Sequence, residues 1–266
     1  MYIDEMIASE VSEDMYGRWK NYRKELTNWM STIIEHHIEE KVSVNGNEAP
    51  TIAIWGAGMC NDIDIAKLSM LGRLVLIDNE KSRCKEAIER HCSDGDAVAV
   101  DLCFYDIEHE RLRQFEEMLH QGVAIEELHE FLSELLLEAV SCDPHSAPEF
   151  DISIVVGLTS QLNSRLAALV YRYRRNYNEA ELRQLIEHIQ IMDKAAVERL
   201  IHFIKISTHG LTIYGYEDKI VETGQKLELL PNNIFRQSMD GEEYSFIWPF
   251  TEEKTYEMKF VAGRLL

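Results

Sequence analysis

Three residues carry the first chemical signal in this chain. Gly56 and Gly58 stand two apart, and Asp78 lies 20 residues past the second glycine. Glycines let the backbone approach a ligand closely and adopt conformations that other residues resist. A carboxylate can accept both hydrogen bonds of a ribose diol. The flanking sequence, Thr51-Ile-Ala-Ile-Trp-Gly-Ala-Gly58, is an apolar β-type run that ends in a glycine turn. Apolar positions resume at Ile63, Ile65, Leu68, Met70 and Leu71, and a second β-type run, Leu74-Val-Leu-Ile77, stops at Asp78. A strand, a glycine turn, a helix and a second strand closed by an acid make half of a nucleotide-binding α/β unit. A Gly-x-Gly turn alone also serves as a plain strand-to-helix connection, and it is the acid at this distance that points to a ligand. The third glycine of the dinucleotide pattern is absent, because position 61 is Asn61.

The elements that must position these residues follow from hydrophobic periodicity. Residues 5–42 read as helix, with Val11, Met15, Trp19, Tyr22, Leu26, Trp29, Ile33 and His37 at three- and four-residue steps. After a loop at 44–50, the pattern predicts strand 51–55, helix 62–71, strand 73–78, helix 80–92 and strand 97–101. Two helical patterns fill the gap before the next strand, 151–157. A crossover needs only one helix, so one of the two is read as an insertion. Helices at 161–175 and 179–206 follow, then strand 210–216 and a less readable connector, 217–243. The last two β-type runs, 244–248 and 256–262, are separated only by Pro249 to Thr255. No crossover helix fits in that space, so these strands must be antiparallel neighbours.

Five parallel βα units followed by an antiparallel pair is a pattern that resembles the class I S-adenosylmethionine-dependent methyltransferases, from about residue 50 to the end. The resemblance implies an α/β, Rossmann-like seven-stranded, mostly parallel sheet with helices on both faces. It divides the chain into an N-terminal helical cap, 1–48, and a cofactor-binding domain, 49–266, with a helical insertion at about 107–148. In the family an acid-x-Gly-x-Gly-x-Gly loop wraps the methionine part of the cofactor. Here Ile54 replaces the acid and Cys60 the last glycine. On this resemblance the cofactor-binding residues are Trp55, Gly56, Ala57 and Gly58, with Asn61, Asp62 or Asp64 supplying the missing polar group. For Asp62 the alternative is a helix N-cap. Asp78 takes the ribose, Asn79 the adenosine side, Asp101 and Leu102 the adenine edge, and Gly157 opens the loop that faces the transferred methyl group. Thr159, Gln161 and Asn163 in that loop, and Trp19 and Tyr22 on the N-terminal helix, are the candidate substrate residues. The loop is not an Asn/Asp-Pro-Pro-aromatic motif, which disfavours methylation of nucleobase or glutamine amide nitrogens. No catalytic base is identifiable.

Composition narrows the partners. With 27 basic against 47 acidic residues, the formal charge of −20 repels phosphate backbones, so nucleic acid is not an expected partner. It suits a cationic or neutral substrate, though solubility explains it equally well. The five cysteines form no Cys-x-x-Cys pair, which argues against a zinc ribbon and a disulfide scaffold and for a reduced cytoplasmic setting. The histidines lack a metal-ligating spacing, no phosphate loop occurs, and no run is long and apolar enough for a membrane span. The expected function is S-adenosylmethionine-dependent transfer of a methyl group to an N, O or S nucleophile of a small metabolite or peptide, with a homodimer allowed. A nicotinamide-dependent oxidoreductase and a non-catalytic binding protein on the same fold are the alternatives. Without its N-terminal helix the chain is expected to lose transfer, while 51–266 retains some cofactor affinity.

Overall fold

The apolar runs pair as β1 (Thr51–Trp55), β2 (Arg73–Ile77), β3 (Ala97–Val100), β4 (Phe150–Val156), β5 (Thr208–Ile220), β6 (Met239–Trp248) and β7 (Tyr256–Leu265) in the computed structural model. The structure describes residues 14–45, 49–92, 96–100, 102, 104–140 and 148–266. The strands form one sheet in the order β3-β2-β1-β4-β5-β7-β6. β1 to β5 run parallel, and β7 is antiparallel to both β5 and β6. This is the expected α/β, Rossmann-like architecture, a mostly parallel seven-stranded sheet that ends in an antiparallel pair. The first half of the order, 3-2-1-4-5, is shared with dinucleotide-binding folds, whose sixth strand is parallel; the antiparallel hairpin sets this sheet apart.

Both faces of the sheet are covered, as parallel strands require. In β1, Ile52 and Ile54 point to one face while Ala53 and Trp55 point to the other, and all four are buried. The first face carries α2 (Lys20–Asn45), α3 (Ile65–Ser69) and α4 (Lys81–His91). A single turn at Trp19 separates α2 from α1 (Asp14–Arg18). Of the stripe expected on the N-terminal helix, Trp19, Tyr22 and Leu26 are buried against the sheet and the β6–β7 hairpin, while Met15, Trp29, Ile33 and His37 are only partly buried; beyond Leu26 the buried line runs one residue later, through Met30 and Ile34. The first member of the stripe, Val11, lies outside the described residues.

The second face is closed by α8 (Glu179–Ser207) and α9 (Leu230–Gln237). A capping box starts α8: Asn178 accepts from Ala180 N and Glu181 N, and the Glu181 carboxylate accepts from Asn178 N. The segment expected as an insertion holds α5 (His109–Gln121) and α6 (Ile125–Ala139). They pack with α7 (Ser164–Arg172) and the first half of α8 into a separate cluster around Phe115, Phe131 and Leu132. Among the described residues no helix is long and apolar enough to cross a membrane.

Two expectations change. The helix expected at 62–71 shrinks to α3, because tertiary bonds hold the preceding residues as a loop. Arg23 donates to the Asn61 carbonyl at 2.7 Å, and Asp64 N donates to Thr27 Oγ1 at 3.0 Å. The connector at 217–243 contains α9, whose Pro231 and paired Asn232 and Asn233 mask an eight-residue helix.

Candidate functional site

At the carboxyl end of β1 the chain turns sharply, and Gly56 N and Ala57 N both donate to the Ile77 carbonyl at the end of β2. Gly56 sits at φ +66°, and a Cβ there would lie 2.6 Å from Leu158 Cδ1, so the position admits only glycine. Gly58 is at φ +49° with open space where its Cβ would be. Cys60, standing for the family's third glycine, keeps a left-handed backbone at φ +50° and is buried. The loop therefore retains its glycine-type path without the glycine. Holding cysteine in this region costs about 1–2 kcal/mol. Cys60→Gly should leave the melting free energy within about 1 kcal/mol of wild type, the lost packing offsetting the relieved strain, whereas Cys60→Val should cost roughly 1–3 kcal/mol. Denaturant titration of both variants checks this.

Asp78 closes the turn. Its Oδ2 accepts from Gly58 N at 2.9 Å and its Oδ1 from Glu80 N at 2.8 Å. Each oxygen keeps a lone pair for a further donor. Above this lock lies a pocket walled by Gly56, Gly58, Asp78, Asn79, Leu102, Phe104, Tyr105, Asp106, Leu158 and Gln161, with Glu80, Arg83 and Arg165 at its rim. Asn79 Nδ2 donates to Asp106 Oδ1 at 2.7 Å, joining the ends of the second and third strand connections. Asp101, expected at the adenine edge, lies outside the described residues.

The expected site residues divide. Gly56, Gly58, Asp78, Asn79, Leu102, Gln161 and Asn163 meet at the pocket. Trp55 does not: its indole is buried in the core behind the pocket residue Phe104, donates to Ser153 Oγ at 2.9 Å and packs edge-on to Phe104 and Phe150. Thr159 is turned inward and shared between the Tyr214 hydroxyl and Asn232 Oδ1. The buried Asn163 amide is engaged on both sides, accepting from Tyr105 at 2.7 Å and donating to Asp193 at 2.9 Å. Neither is free to position a substrate by that group; of the three loop residues only Gln161 is exposed at the pocket. Ala57 is packed into the core beneath the turn.

Beyond the glycine turn, the N-cap of α3 is Asp64, which accepts from Lys67 N. The capping alternative for Asp62 is thereby removed. Asp62 is half-buried, and desolvation lifts its carboxyl to about 6 against the opposing pull of its own backbone and of Arg23. Arg23 is buried, donates to the carbonyls of Tyr16 and Asn61, and stacks 3.5 Å over the Tyr16 ring. A carboxylate and a guanidinium thus sit beside the glycine turn.

On the other side of the sheet's carboxyl edge, Gly157 at φ +61° separates two polar side chains. A Cβ there would be 3.6 Å from Glu217 Oε1 and 3.8 Å from Gln161 Nε2. Glu217 is buried, and its Oε1 accepts from Ser160 Oγ at 3.0 Å. Arg23, Asp106 and Glu217 escaped the sequence reading. Glu217 was findable: an acid directly following the apolar run of β5 is the same signal that marks Asp78. Arg23 was not, since nothing in a helix repeat tells which basic residue meets a distant loop. Tyr22 and Trp19, expected to meet the substrate, do not line the pocket but are buried in the core beneath the sheet's first face; Trp19 Nε1 donates to the Phe250 carbonyl at 3.2 Å, tying the helix to the β6–β7 turn.

No protein-family model and no curated protein sequence matches the chain. Solved structures are similar to it over most of its length. One is the N-methyltransferase NodS from Bradyrhizobium japonicum in complex with S-adenosyl-L-homocysteine, 10% identical over 95% of this chain and 99% of that one, with a TM-score of 0.41. Another is magnesium protoporphyrin IX methyltransferase from Synechocystis with bound S-adenosylmethionine, 7% identical over 88% and 78%, at 0.40. A third is a TehB-like S-adenosylmethionine-dependent methyltransferase from Corynebacterium glutamicum, 12% identical over 93% and 99%, at 0.36. At TM-scores this low, the likenesses bear on neither substrate nor mechanism.

Proposed function

We propose that this chain binds S-adenosylmethionine and transfers its methyl group to an N, O or S nucleophile of a small metabolite or peptide. The observation that carries the reading is the Gly56–Gly58 turn locked onto Asp78 beneath an open pocket, in a sheet that ends in an antiparallel pair. When bound, the cofactor supplies a methyl group on a sulfonium, so the protein need not activate a leaving group. Its own residues bind, orient and exclude water. Asp78 offers its remaining lone pairs to the ribose diol. Leu102, Phe104 and Leu158 give apolar contact to the adenine, and Asn79 with Asp106 gives the polar edge. Arg23 and Asp62 form a zwitterion receptor, the guanidinium for the cofactor's carboxylate and the carboxylate for its ammonium. Asp62 thereby replaces the acid missing at Ile54.

The N-terminal helix is better described as a wall than as a lid. It lies along one sheet face, and its early turns, through Arg23, reach the loop after β1. The α5–α6 segment reaches the pocket itself through Leu112. The setting proposed is cytosolic, with no nucleic-acid partner.

Calorimetric titration with S-adenosylhomocysteine and with NAD decides the reading. Binding of the former and none of the latter is expected; tight NAD binding with no response to S-adenosylhomocysteine would end it. The same titration carries a pH signature. Asp62 must be ionised to hold an ammonium, and its carboxyl stands near 6 in the free protein. Affinity should therefore fall about tenfold from pH 7 to pH 5, and Asp62→Asn should flatten that profile. A wild-type profile that is already flat would remove Asp62 from the ammonium site.

A further inference from the structure

Three buried polar atoms at the carboxyl edge of the sheet have no hydrogen-bond partner: Tyr22 Oη, Trp248 Nε1 and Glu217 Oε2. Tyr22 is 3%, Trp248 5% and Glu217 6% exposed, so bulk solvent does not reach them. An unpaired buried polar group is costly, and an unpaired buried carboxylate costs more than a neutral group. The three are neighbours. Tyr22 and Trp248 stack with ring centroids 5.8 Å apart, Glu217 follows Tyr216 on β5, and burial first, then the charges of Asp62 and Glu217, raise the Tyr22 hydroxyl well above its usual range. Gly157 connects them to the cofactor pocket, with Glu217 on one side and the pocket residue Gln161 on the other.

We infer that this cluster is the seat of the methyl acceptor, and that the acceptor presents a protonated or otherwise cationic amine to the free oxygen of Glu217. The placement rests on the methyl-transfer reading. The ligand chemistry follows from the three groups themselves. Burial raises the Glu217 carboxyl above the usual carboxylate range, and a cationic nitrogen at its free oxygen would favour the ionised form, with the Tyr22 and Trp248 rings suited to the same charge. Tyr22 Oη and Trp248 Nε1 are donors, so the amine should also carry an oxygen acceptor. Lys254, whose ammonium lies 4.9 Å from the Tyr256 ring centroid, acts on the Glu217 carboxyl through its charge but makes no ion pair with it among the described residues. A chain with a net charge of −20 draws such a ligand in.

The test uses the full chain, with and without saturating S-adenosylhomocysteine. It is titrated with phenethylamine, with 2-phenylethanol and with 3-phenylpropionate, following the indole N–H resonance of Trp248, assigned by its loss in Trp248→Phe. Phenethylamine is expected to bind at least tenfold tighter than the alcohol and to move that resonance, with the carboxylate weakest. Glu217→Gln should reduce the amine to the level of the alcohol and leave S-adenosylhomocysteine affinity unchanged. Equal binding of the three compounds by wild type overturns the inference, and so does a preference that survives Glu217→Gln. If that variant does not fold, the wild-type preference alone decides. An amine preference in a protein that binds no S-adenosylhomocysteine keeps the subsite and removes the methyl-transfer reading; cofactor binding without the preference does the reverse.

Discussion

A chain beginning at residue 49 is expected to be unfolded or insoluble, and not a smaller cofactor-binding domain. Helix α2 and the turn before it place Trp19, Tyr22, Leu26, Met30 and Ile34 at 0–7% exposure in the main core cluster, in company with Ile52, Ile54, Ile213 and Phe260. Burying each such side chain is worth about 1.5–3 kcal/mol, so together they supply roughly 10 kcal/mol. A whole domain is stable by only about 5–15 kcal/mol. The periodicity of the helix shows that it has an apolar face but not what the face covers, which is why 51–266 looked separable in sequence. Expression of 49–266 beside the full chain, followed by circular dichroism and urea titration, checks the outcome. A soluble truncation with a cooperative transition close to that of the full chain would show the helix to be peripheral. Leu26→Ala and Met30→Ala give a graded version, each expected to cost about 2–5 kcal/mol.

Asp78→Ala should fail twice. The carboxylate accepts from Gly58 N and Glu80 N, so its removal leaves both backbone donors without that partner and releases the glycine turn. Hydrogen bonds to a charged group contribute about 1.5–3 kcal/mol; a stability loss of that size is expected. The proposed ribose bonds are lost as well, and S-adenosylhomocysteine affinity should fall by about 10- to 150-fold, the same energy expressed as a dissociation constant. Asp78→Asn keeps the shape and one acceptor oxygen and should lie between. Thermal melts and calorimetry on the same samples separate the two effects. If Asp78→Ala loses stability but keeps cofactor affinity, Asp78 is only the lock of the turn. If it loses neither, the hydrogen bonds of the turn have no energetic consequence and the site reading falls with them.

Much of the fold was legible because its signals are local. β1, β2 and β4 are continuous apolar runs bounded by turn residues, and the short span from Pro249 to Thr255 forces an antiparallel pair by chain length alone. Gly56 and Asp78 were legible for the same reason, since a turn conformation and a strand-end acid are properties of a few adjacent residues. What tertiary structure decided is where side chains with two local options go. Trp55 sits beside the glycine turn in sequence, but as a residue of β1 it is turned into the core, where Ser153 and Phe150 hold it behind the pocket residue Phe104. Thr159 and Asn163 look like free polar groups in a loop, yet Tyr214, Asn232, Tyr105 and Asp193, all distant in sequence, consume them. Asp62 and Asp64 are equivalent as caps by composition. Thr27 and Arg23, far earlier in the chain, fix the loop so that Asp64 caps and Asp62 is left beside the turn. Glu217, Tyr22 and Trp248 come from three separate parts of the chain, and only the packing of α2 and the β6–β7 hairpin on one sheet face puts their unpaired polar atoms together.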